Sequence, residues 1–124
     1  MNISFMFVPI PGPLTDQSDV KDLKKRLDWG EPALTTIDVR DQDIFNTSHI
    51  LGAISLSSKE LVERALINLE LIRDIYIYAS TEEETASAAT QLRTAGYKNV
   101  SELRGGFAAW EAAGYPIEGK SSVV

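Results

Sequence analysis

Short segments rich in β-forming residues alternate along this chain with segments of helical periodicity, and this alternation limits the fold more than any other feature. Residues 74–78 (Asp-Ile-Tyr-Ile-Tyr) combine good β formers. Residues 83–95 have the pattern of a helix that ends before Gly96. The alternation predicts a three-layer α/β/α fold, with helices on both faces of a central, mostly parallel sheet of about five strands.

The predicted elements follow one another without an internal repeat or a low-complexity linker. Ser18 is a good N-cap for a first helix that extends to about Leu27, and Gly30 and Pro32 end this helix. A helical turn is expected at 42–46, and further helices are expected at 59–71, 83–95 and 107–113. The predicted strands are 3–8 at an edge of the sheet, 33–39, 53–56, 74–78 and 100–103.

The length of 124 residues fits one domain. We assign residues 1–14 to an N-terminal strand or extended segment, because prolines at positions 9, 11 and 13 disfavour a helix. Residues 15–118 are assigned to the domain, and residues 119–124 to a flexible C-terminal tail. The first ten residues lack the basic region and cleavage site of a signal peptide, so we expect a cytoplasmic protein.

The chain contains no cysteine and a single histidine, His49. The lack of cysteine excludes disulfides, thiolate metal sites and a thiol nucleophile. One histidine disfavours a histidine-built metal site, and we expect neither a metal nor a cofactor. A net charge of −6 disfavours binding to nucleic acid or to an anionic membrane. The sequence has no apolar stretch of roughly 18 residues, so no membrane span is predicted.

The connection that follows residues 74–78 is the most promising place for a ligand site. Ligands of parallel sheets bind beyond the carboxyl ends of the strands, where a strand turns into a helix. The candidate site residues are Ala79, Ser80, Thr81, Glu82, Glu83, Glu84 and Thr85.

Three groups of motifs occur in a defined order along the chain. The first is Ile37-Asp38-Val39-Arg40-Asp41, followed by Phe45 and by His49-Ile50-Leu51-Gly52-Ala53. The second is residues 78–92. The third comprises Gly96-Tyr97-Lys98-Asn99-Val100, Leu103-Arg104-Gly105-Gly106-Phe107, Ala109-Trp110 and Gly114-Tyr115-Pro116-Ile117. Over roughly residues 15–118, their order and spacing resemble the rhodanese (sulfurtransferase-like) family.

The resemblance implies a catalytic loop directly after the central strand, in which a cysteine carries sulfur as a persulfide. Ala79 occupies the place of that cysteine. Glu84 falls where the family has the second arginine of the loop, and Glu82 lies near its small turn residue. An alanine methyl group cannot attack or carry sulfur, because this chemistry needs a thiolate. The chain thus resembles a single-domain member of the family that lacks the catalytic cysteine.

The charge of the loop also differs from what an anionic sulfur centre needs. A helix N-terminus favours an anion by about 0.3–1 kcal/mol. A carboxylate about 5 Å away opposes it by about 3 kcal/mol at an effective dielectric of ~20. Repulsion from Glu82, Glu83 and Glu84 therefore disfavours thiosulfate, persulfide and phosphate.

Two compatible roles are open for these glutamates. They can complement the dipole of the next helix, with Ser80 or Thr81 in a capping box. They can also form an acidic tip that recognises a basic partner.

The other family motifs are interpreted as scaffold. The resemblance implies structural roles for Asp38, Arg40 and His49, although a catalytic role of Asp38 and Arg40 at a strand end stays open. The glycines supply permissive backbone. Trp110 is expected to lie in the core, whereas Trp29 is expected to be a partly exposed contact at a helix end. The structural motif residues are Asp38, Arg40, His49, Gly52, Gly105, Gly106 and Trp110.

These observations predict a catalytically inactive rhodanese-like domain that acts as a binding or regulatory module through the acidic loop 79–85. The expected partner is a protein with a basic surface. The alternative is a sulfurtransferase-family enzyme with residual or altered activity, either sulfur transfer or hydrolysis through Ser80 or Thr81. Hydrolysis would require a base beside the hydroxyl. A purely accessory role, without a specific ligand of the loop, is a third possibility.

Overall fold

The computed structural model describes residues 14–31 and 33–119. Its helices are α1 (Val20–Asp28), α2 (Gln42–Thr47), α3 (Leu61–Asn68), α4 (Glu82–Thr94) and α5 (Gly106–Ala112). Its strands are β1 (Gln17–Ser18), β2 (Leu34–Asp38), β3 (His49–Ile50), β4 (Ile54–Ser55), β5 (Asp74–Tyr78), β6 (Asn99–Leu103) and β7 (Ile117–Glu118).

Five strands form the central sheet in the order β1-β6-β5-β2-β4, and all of these pairings are parallel. The central strand β5 pairs along its whole length with β2, from Leu34 opposite Asp74 to Asp38 opposite Tyr78. The two short strands β3 and β7 form a separate antiparallel pair. The predicted α/β fold around a parallel sheet of about five strands is confirmed.

The side chains of β5 divide the core into two clusters, one on each face of the sheet. Ile75 and Ile77 pack in a cluster that contains residues of α3 and α4. Tyr76 and Tyr78 pack on the other face, in a cluster that contains residues of α1 and α5. Neighbouring strand residues point to opposite faces of a sheet, and a strand that is apolar at every position is therefore covered on both sides.

The start of the first helix differs from the prediction. Ser18 belongs to β1, and its hydroxyl lies 2.5 Å from that of Ser101 in β6, with both side chains buried. The helix cap is the next residue, Asp19, whose Oδ1 accepts a hydrogen bond from the Asp22 N–H at 3.0 Å. The predicted N-cap at Ser18 is wrong, because the Ser18 hydroxyl hydrogen-bonds with Ser101 of the neighbouring strand.

Other boundaries shift by a few residues. The predicted helix at 59–71 is shorter, because α3 ends at Asn68 and Leu69 already has an extended backbone. The helical turn at 42–46 is confirmed as α2. The predicted strand at 3–8, Pro32 and residues 120–124 of the predicted tail lie outside the described residues.

Within the described ranges, no helix combines the length and the apolar character needed to cross a bilayer.

Candidate functional site

The loop 79–85 lies at the carboxyl edge of the sheet, between the last residue of β5 and the first turn of α4. The neighbouring strand β2 ends at the same level, since Asp38 pairs with Tyr78. This edge is where side chains from successive strand–helix connections meet. The structure therefore brings the loop next to Asp38 and Arg40.

Thr85 fixes the shape of the loop. Its side chain is 2% exposed, and its hydroxyl accepts a hydrogen bond from the Ala79 N–H at 2.9 Å. The same hydroxyl donates to the Thr81 carbonyl oxygen at 2.9 Å. One buried hydroxyl thus ties both ends of the turn together, and none of the glutamates takes part in this closure.

Thr81 caps α4. Its Oγ1 accepts a hydrogen bond from the Glu84 N–H at 3.1 Å, and its hydroxyl lies 3.1 Å from Glu84 Oε1. The capping role predicted for Ser80 or Thr81 is confirmed for Thr81. Acidic residues occupy the whole first turn of the helix, where they complement its dipole.

The three glutamates have different surroundings. Glu82 Oε1 accepts a hydrogen bond from the Gly105 N–H at 2.9 Å, which connects the loop to the start of α5. Glu83 is exposed and makes no hydrogen bond or ion pair within the described ranges. Glu84 contributes to the cap and also lines a cavity beside Ala79. Glu83 and Glu84 therefore present carboxylates to the surroundings, whereas Glu82 is partly used by the scaffold.

A buried ion pair lies below the loop. Asp38 is fully buried, and Arg40 contacts it through Nε at 3.0 Å and Nη2 at 2.7 Å. Arg40 Nη2 also donates to the Ser48 carbonyl oxygen at 2.7 Å, and its guanidinium lies over the rings of Tyr78 and Phe107. Burial opposes the charged form of Arg40, but its hydrogen bonds and charge interaction with Asp38 outweigh burial and raise the pKa of Arg40.

Tyr78 belongs to the same network. Its hydroxyl oxygen accepts a hydrogen bond from the Ile50 N–H at 3.1 Å. Burial, followed by the negative charge of Asp38, raises the pKa of Tyr78 far above its ordinary value, so this hydroxyl stays protonated. Asp38, Arg40 and Tyr78 satisfy one another, which is the arrangement of a structural anchor.

The contacts of His49 lie in the β3–β7 region. Its ring stacks on Phe45 with centroids 3.6 Å apart, and its Nδ1 lies 2.7 Å from the Phe45 carbonyl oxygen. Its Nε2 lies 3.2 Å from Oε1 of Glu118 in β7. Both ring nitrogens therefore have partners in the β3–β7 region, and His49 is not positioned as a base for Ser80 or Thr81.

The remaining motif residues have positions in the backbone or the core that their contacts explain. Gly105 has a φ of +77°, and a Cβ there would lie 2.5 Å from the Ala109 Cβ. Gly106 has a φ of +52° and packs against the Ala79 carbonyl oxygen. Trp110 is 1% exposed and donates from Nε1 to the Pro116 carbonyl oxygen at 2.7 Å. The Gly52 N–H donates to Glu118 Oε1 at 3.0 Å.

A cavity of about 290 Å³ opens beside Ala79, between α4 and the segments that follow β2 and β4. Four of its lining residues lie on one face of α4 at the spacing i, i+3, i+4 and i+7: Glu84, Ser87, Ala88 and Gln91. The site residues predicted from the sequence did not include Ser87 and Gln91, although their helical spacing from Glu84 could have indicated them. In the described part of the chain, no three acidic or histidine side chains converge as metal ligands do.

Comparison with known proteins identifies the fold family. A profile of the rhodanese-like domain matches residues 19–113, which include the loop and all structural motif residues. The chain belongs to the rhodanese-like family. Its sequence contains no cysteine.

Three relatives illustrate how similar this chain is to other proteins. The Alr3790 protein from Anabaena sp. has a crystal structure with 50% sequence identity and a TM-score of 0.82, covering 86% of this chain and 94% of that one. The thiosulfate sulfurtransferase GlpE of Coxiella burnetii is 35% identical over 75 residues, covering 60% of this chain and 69% of GlpE. The slr1261 protein of Synechocystis sp. is 33% identical over 86 residues, which are 69% of this chain. The match spans about half (48%) of the slr1261 protein's own length.

Proposed function

We propose that this rhodanese-like domain does not transfer sulfur and that it binds a partner protein through the acidic loop 79–85. The observation that carries the proposal is a loop that keeps a defined shape without the group needed for sulfur chemistry. Thr85 and Thr81 hold the loop by buried and capping hydrogen bonds, while Ala79 takes the place that the family resemblance gives to the nucleophile. A shaped loop without a nucleophile is suited to recognition.

The charge of the loop supports a basic partner. Glu83 and Glu84 are exposed at the start of α4, and Glu83 has no cation beside it among the described residues. A protein surface carrying lysine or arginine would supply the missing counter-charge, which favours association and orients the partner. Such a partner is expected to be met in the cytoplasm, the location that the sequence favours.

Charge reversal with a matched control tests this interface. We expect E83K/E84K to lose proteins that the unmodified domain captures from native cell extract, as identified by mass spectrometry. The control E63K/E111K changes the net charge by the same amount at two exposed glutamates on other helices. Glu82 is left unchanged because it bonds to Gly105. Unchanged capture by E83K/E84K, or equal loss in both variants, would contradict a specific acidic interface.

The alternative is a residual enzyme, and the name of the relative GlpE is the observation that favours it. Sulfur transfer is measured as thiocyanate formed from thiosulfate and cyanide. We expect no turnover above that of the heat-denatured protein. Hydrolysis through Ser80 lacks a histidine base, because His49 is engaged with Phe45 and Glu118. Turnover by the folded protein would overturn the proposal of an inactive domain.

A further inference from the structure

The cavity beside Ala79 combines unused acceptors with an apolar floor. Its volume of about 290 Å³ is close to the lower limit of small-ligand sites. The floor is formed by Val39, Ala79 and Ala88, all of which are buried in the core. Its walls come from α4 and from the segments after β2, β4 and β5, so the cavity is built by the fold and not by one loop.

Two carboxylates at the cavity have oxygen atoms available for a ligand. Only Oε1 of Glu84 is occupied, by the Thr81 hydroxyl, and Oε2 makes no bond within residues 14–31 and 33–119. The Asp41 carboxylate has no hydrogen bond or ion pair in the same residues. A ligand with several N–H donors could therefore bond to both sides of the cavity.

One cation, Arg40, also borders the cavity, but its charge is already neutralised. Its guanidinium makes three hydrogen bonds to the buried Asp38 carboxylate and a fourth to the Ser48 carbonyl oxygen. The Asp38–Arg40 pair is close to neutral when seen from the cavity. We therefore expect the two carboxylates of Asp41 and Glu84 to give the cavity a negative field.

We propose that this cavity receives an arginine side chain of the partner protein. The inference rests on the proposed function and names the group that the acidic loop recognises. A guanidinium has five N–H donors and is more weakly hydrated than an ammonium group, so it enters a partly enclosed site at a lower desolvation cost. Its methylene groups would pack on the apolar floor, while the carboxylates and the hydroxyls of Ser58 and Ser87 accept its hydrogen bonds.

The test is an NMR titration of the ¹⁵N-labelled domain with N-acetyl-arginine amide. N-acetyl-citrulline amide, which has nearly the same shape without the charge, is the control ligand. We expect the arginine probe to shift the amide signals of Ser58, Ser80 and Gln91, and the citrulline probe to leave them in place. Thiosulfate is a third probe, and we expect it to cause no shift because the field at the cavity is negative.

Two neighbouring glutamates provide a matched pair of variants. E84Q and E83Q remove the same charge from adjacent residues, but only Glu84 lines the cavity. We expect E84Q to weaken binding of the arginine probe about tenfold, because a charged hydrogen bond is lost, and E83Q to change it less than about twofold. S87L, at an exposed position of α4 that borders the cavity, should block the probe while the spectrum stays that of a folded protein.

Equal shifts with arginine and citrulline, no shift with either, or equal effects of E83Q and E84Q would overturn the arginine site. These results leave the capture experiment with E83K/E84K unaffected, so a partner that binds outside the cavity would still be detected. Shifts caused by thiosulfate at the same amides would contradict the negative field and, with it, the proposed loss of anion binding.

Discussion

Ala79 occupies the position that the family resemblance gives to the catalytic cysteine. Its side chain is 8% exposed, and its N–H is bonded to Thr85. A thiol at this position would have room at the edge of the cavity, but it would face the carboxylates at the start of α4. Like charges disfavour ionisation of a thiol and raise its pKa, which lowers the thiolate fraction at neutral pH.

We therefore expect Ala79→Cys alone to give little thiocyanate in the thiosulfate–cyanide assay. Combining it with Glu84→Arg should increase the rate by at least about tenfold, because a cation then stabilises the thiolate. The pH at which the rate reaches half its maximum should fall in the combined variant. High activity from Ala79→Cys alone would show that the glutamates do not control this site.

Thr85 is the residue on which the loop depends most. Thr85→Val keeps the size of the side chain but leaves the buried N–H of Ala79 without an acceptor, which costs about 1–3 kcal/mol of unfolding free energy. Urea denaturation measures this loss. Hydrogen exchange at the Ala79 amide should become much faster.

Thr85→Ser is the control for this prediction, because it retains the hydroxyl and loses one buried methyl group. We expect slow exchange at Ala79 to persist in that variant. Equal exchange rates in Thr85→Val and the unmodified protein would mean that the hydroxyl does not hold the loop.

At the scale of elements, the pair β3–β7 holds the C-terminal strand of the described chain against the domain. His49 lies opposite Glu118 in the register, and Glu118 also accepts the N–H of Gly52. The hydrogen bond from Gly52, together with the contact to His49, lowers the pKa of Glu118 despite some desolvation. Its charged form is therefore favoured in the folded state.

A lowered folded-state pKa stabilises the fold above the unfolded pKa of the carboxyl group, which is 4.5. This contribution is lost as the pH falls through the folded-state pKa. We expect Glu118→Gln to be less stable than the unmodified protein near neutral pH and the two stabilities to converge as the pH falls below 4.5 through the folded-state pKa.

Chemical denaturation between about pH 3 and pH 6 measures this convergence. Glu63→Gln is the control, since Glu63 is exposed on α3 and has no partner among the described residues. A difference between Glu118→Gln and the unmodified protein that stays constant with pH would contradict the role of the charged carboxylate.

The long elements could be predicted from the sequence, whereas the contacts that end them could not. The strand 74–78 was predicted with the observed bounds, because four of its five residues are strong β formers and these four are buried in the core. The cap was wrongly predicted at Ser18 because a serine before a helix is usually a good cap. The hydrogen bond between the Ser18 and Ser101 hydroxyls depends on strand pairing, which the local sequence does not reveal. The two-residue strands β3 and β7 are too short to have a periodic pattern.

The candidate site was also predictable only in part. The loop followed from the strand order and the family motifs, and the cap at Thr81 followed from its spacing to Glu84. The cavity did not, because it forms where α4 meets segments more than twenty residues away, such as those of Asp41 and Ser58. The different role of Glu82 was also not predictable, because Glu82 bonds to the N–H of Gly105, which is 23 residues away in the sequence.

At the scale of the whole molecule, the two tryptophans report on different parts of the domain. Trp110 is 1% exposed in the cluster on the α1 and α5 face, whereas Trp29 is 65% exposed at the end of α1. The predicted buried position of Trp110 is confirmed, and Trp29 is more exposed than expected. We expect Trp29→Phe to remove most of the fluorescence that acrylamide quenches and to leave the emission of Trp110 at shorter wavelength.

The fluorescence of Trp29→Phe also tests whether the domain unfolds as one unit. The sheet is shared by both clusters, and β5 contributes to each of them. The loss of Trp110 emission and the loss of helical circular dichroism should therefore coincide in urea, as in a two-state transition. Separate midpoints would show that the α3 and α4 face unfolds independently.

The closure of the loop by Thr85 has a consequence for engineering. The hydrogen bonds that fold residues 79–85 use the Ala79 N–H, the Thr81 carbonyl group and the hydroxyls of Thr81 and Thr85. The side chains at positions 80, 83 and 84 make none of the bonds to Thr85 that close the loop, and among them only that of Glu84 contacts the capping Thr81 hydroxyl. We expect these positions to tolerate substitution, as the tips of antibody loops do on their framework. A library randomised at these three positions would display new binding specificities on a cysteine-free scaffold suited to reducing conditions.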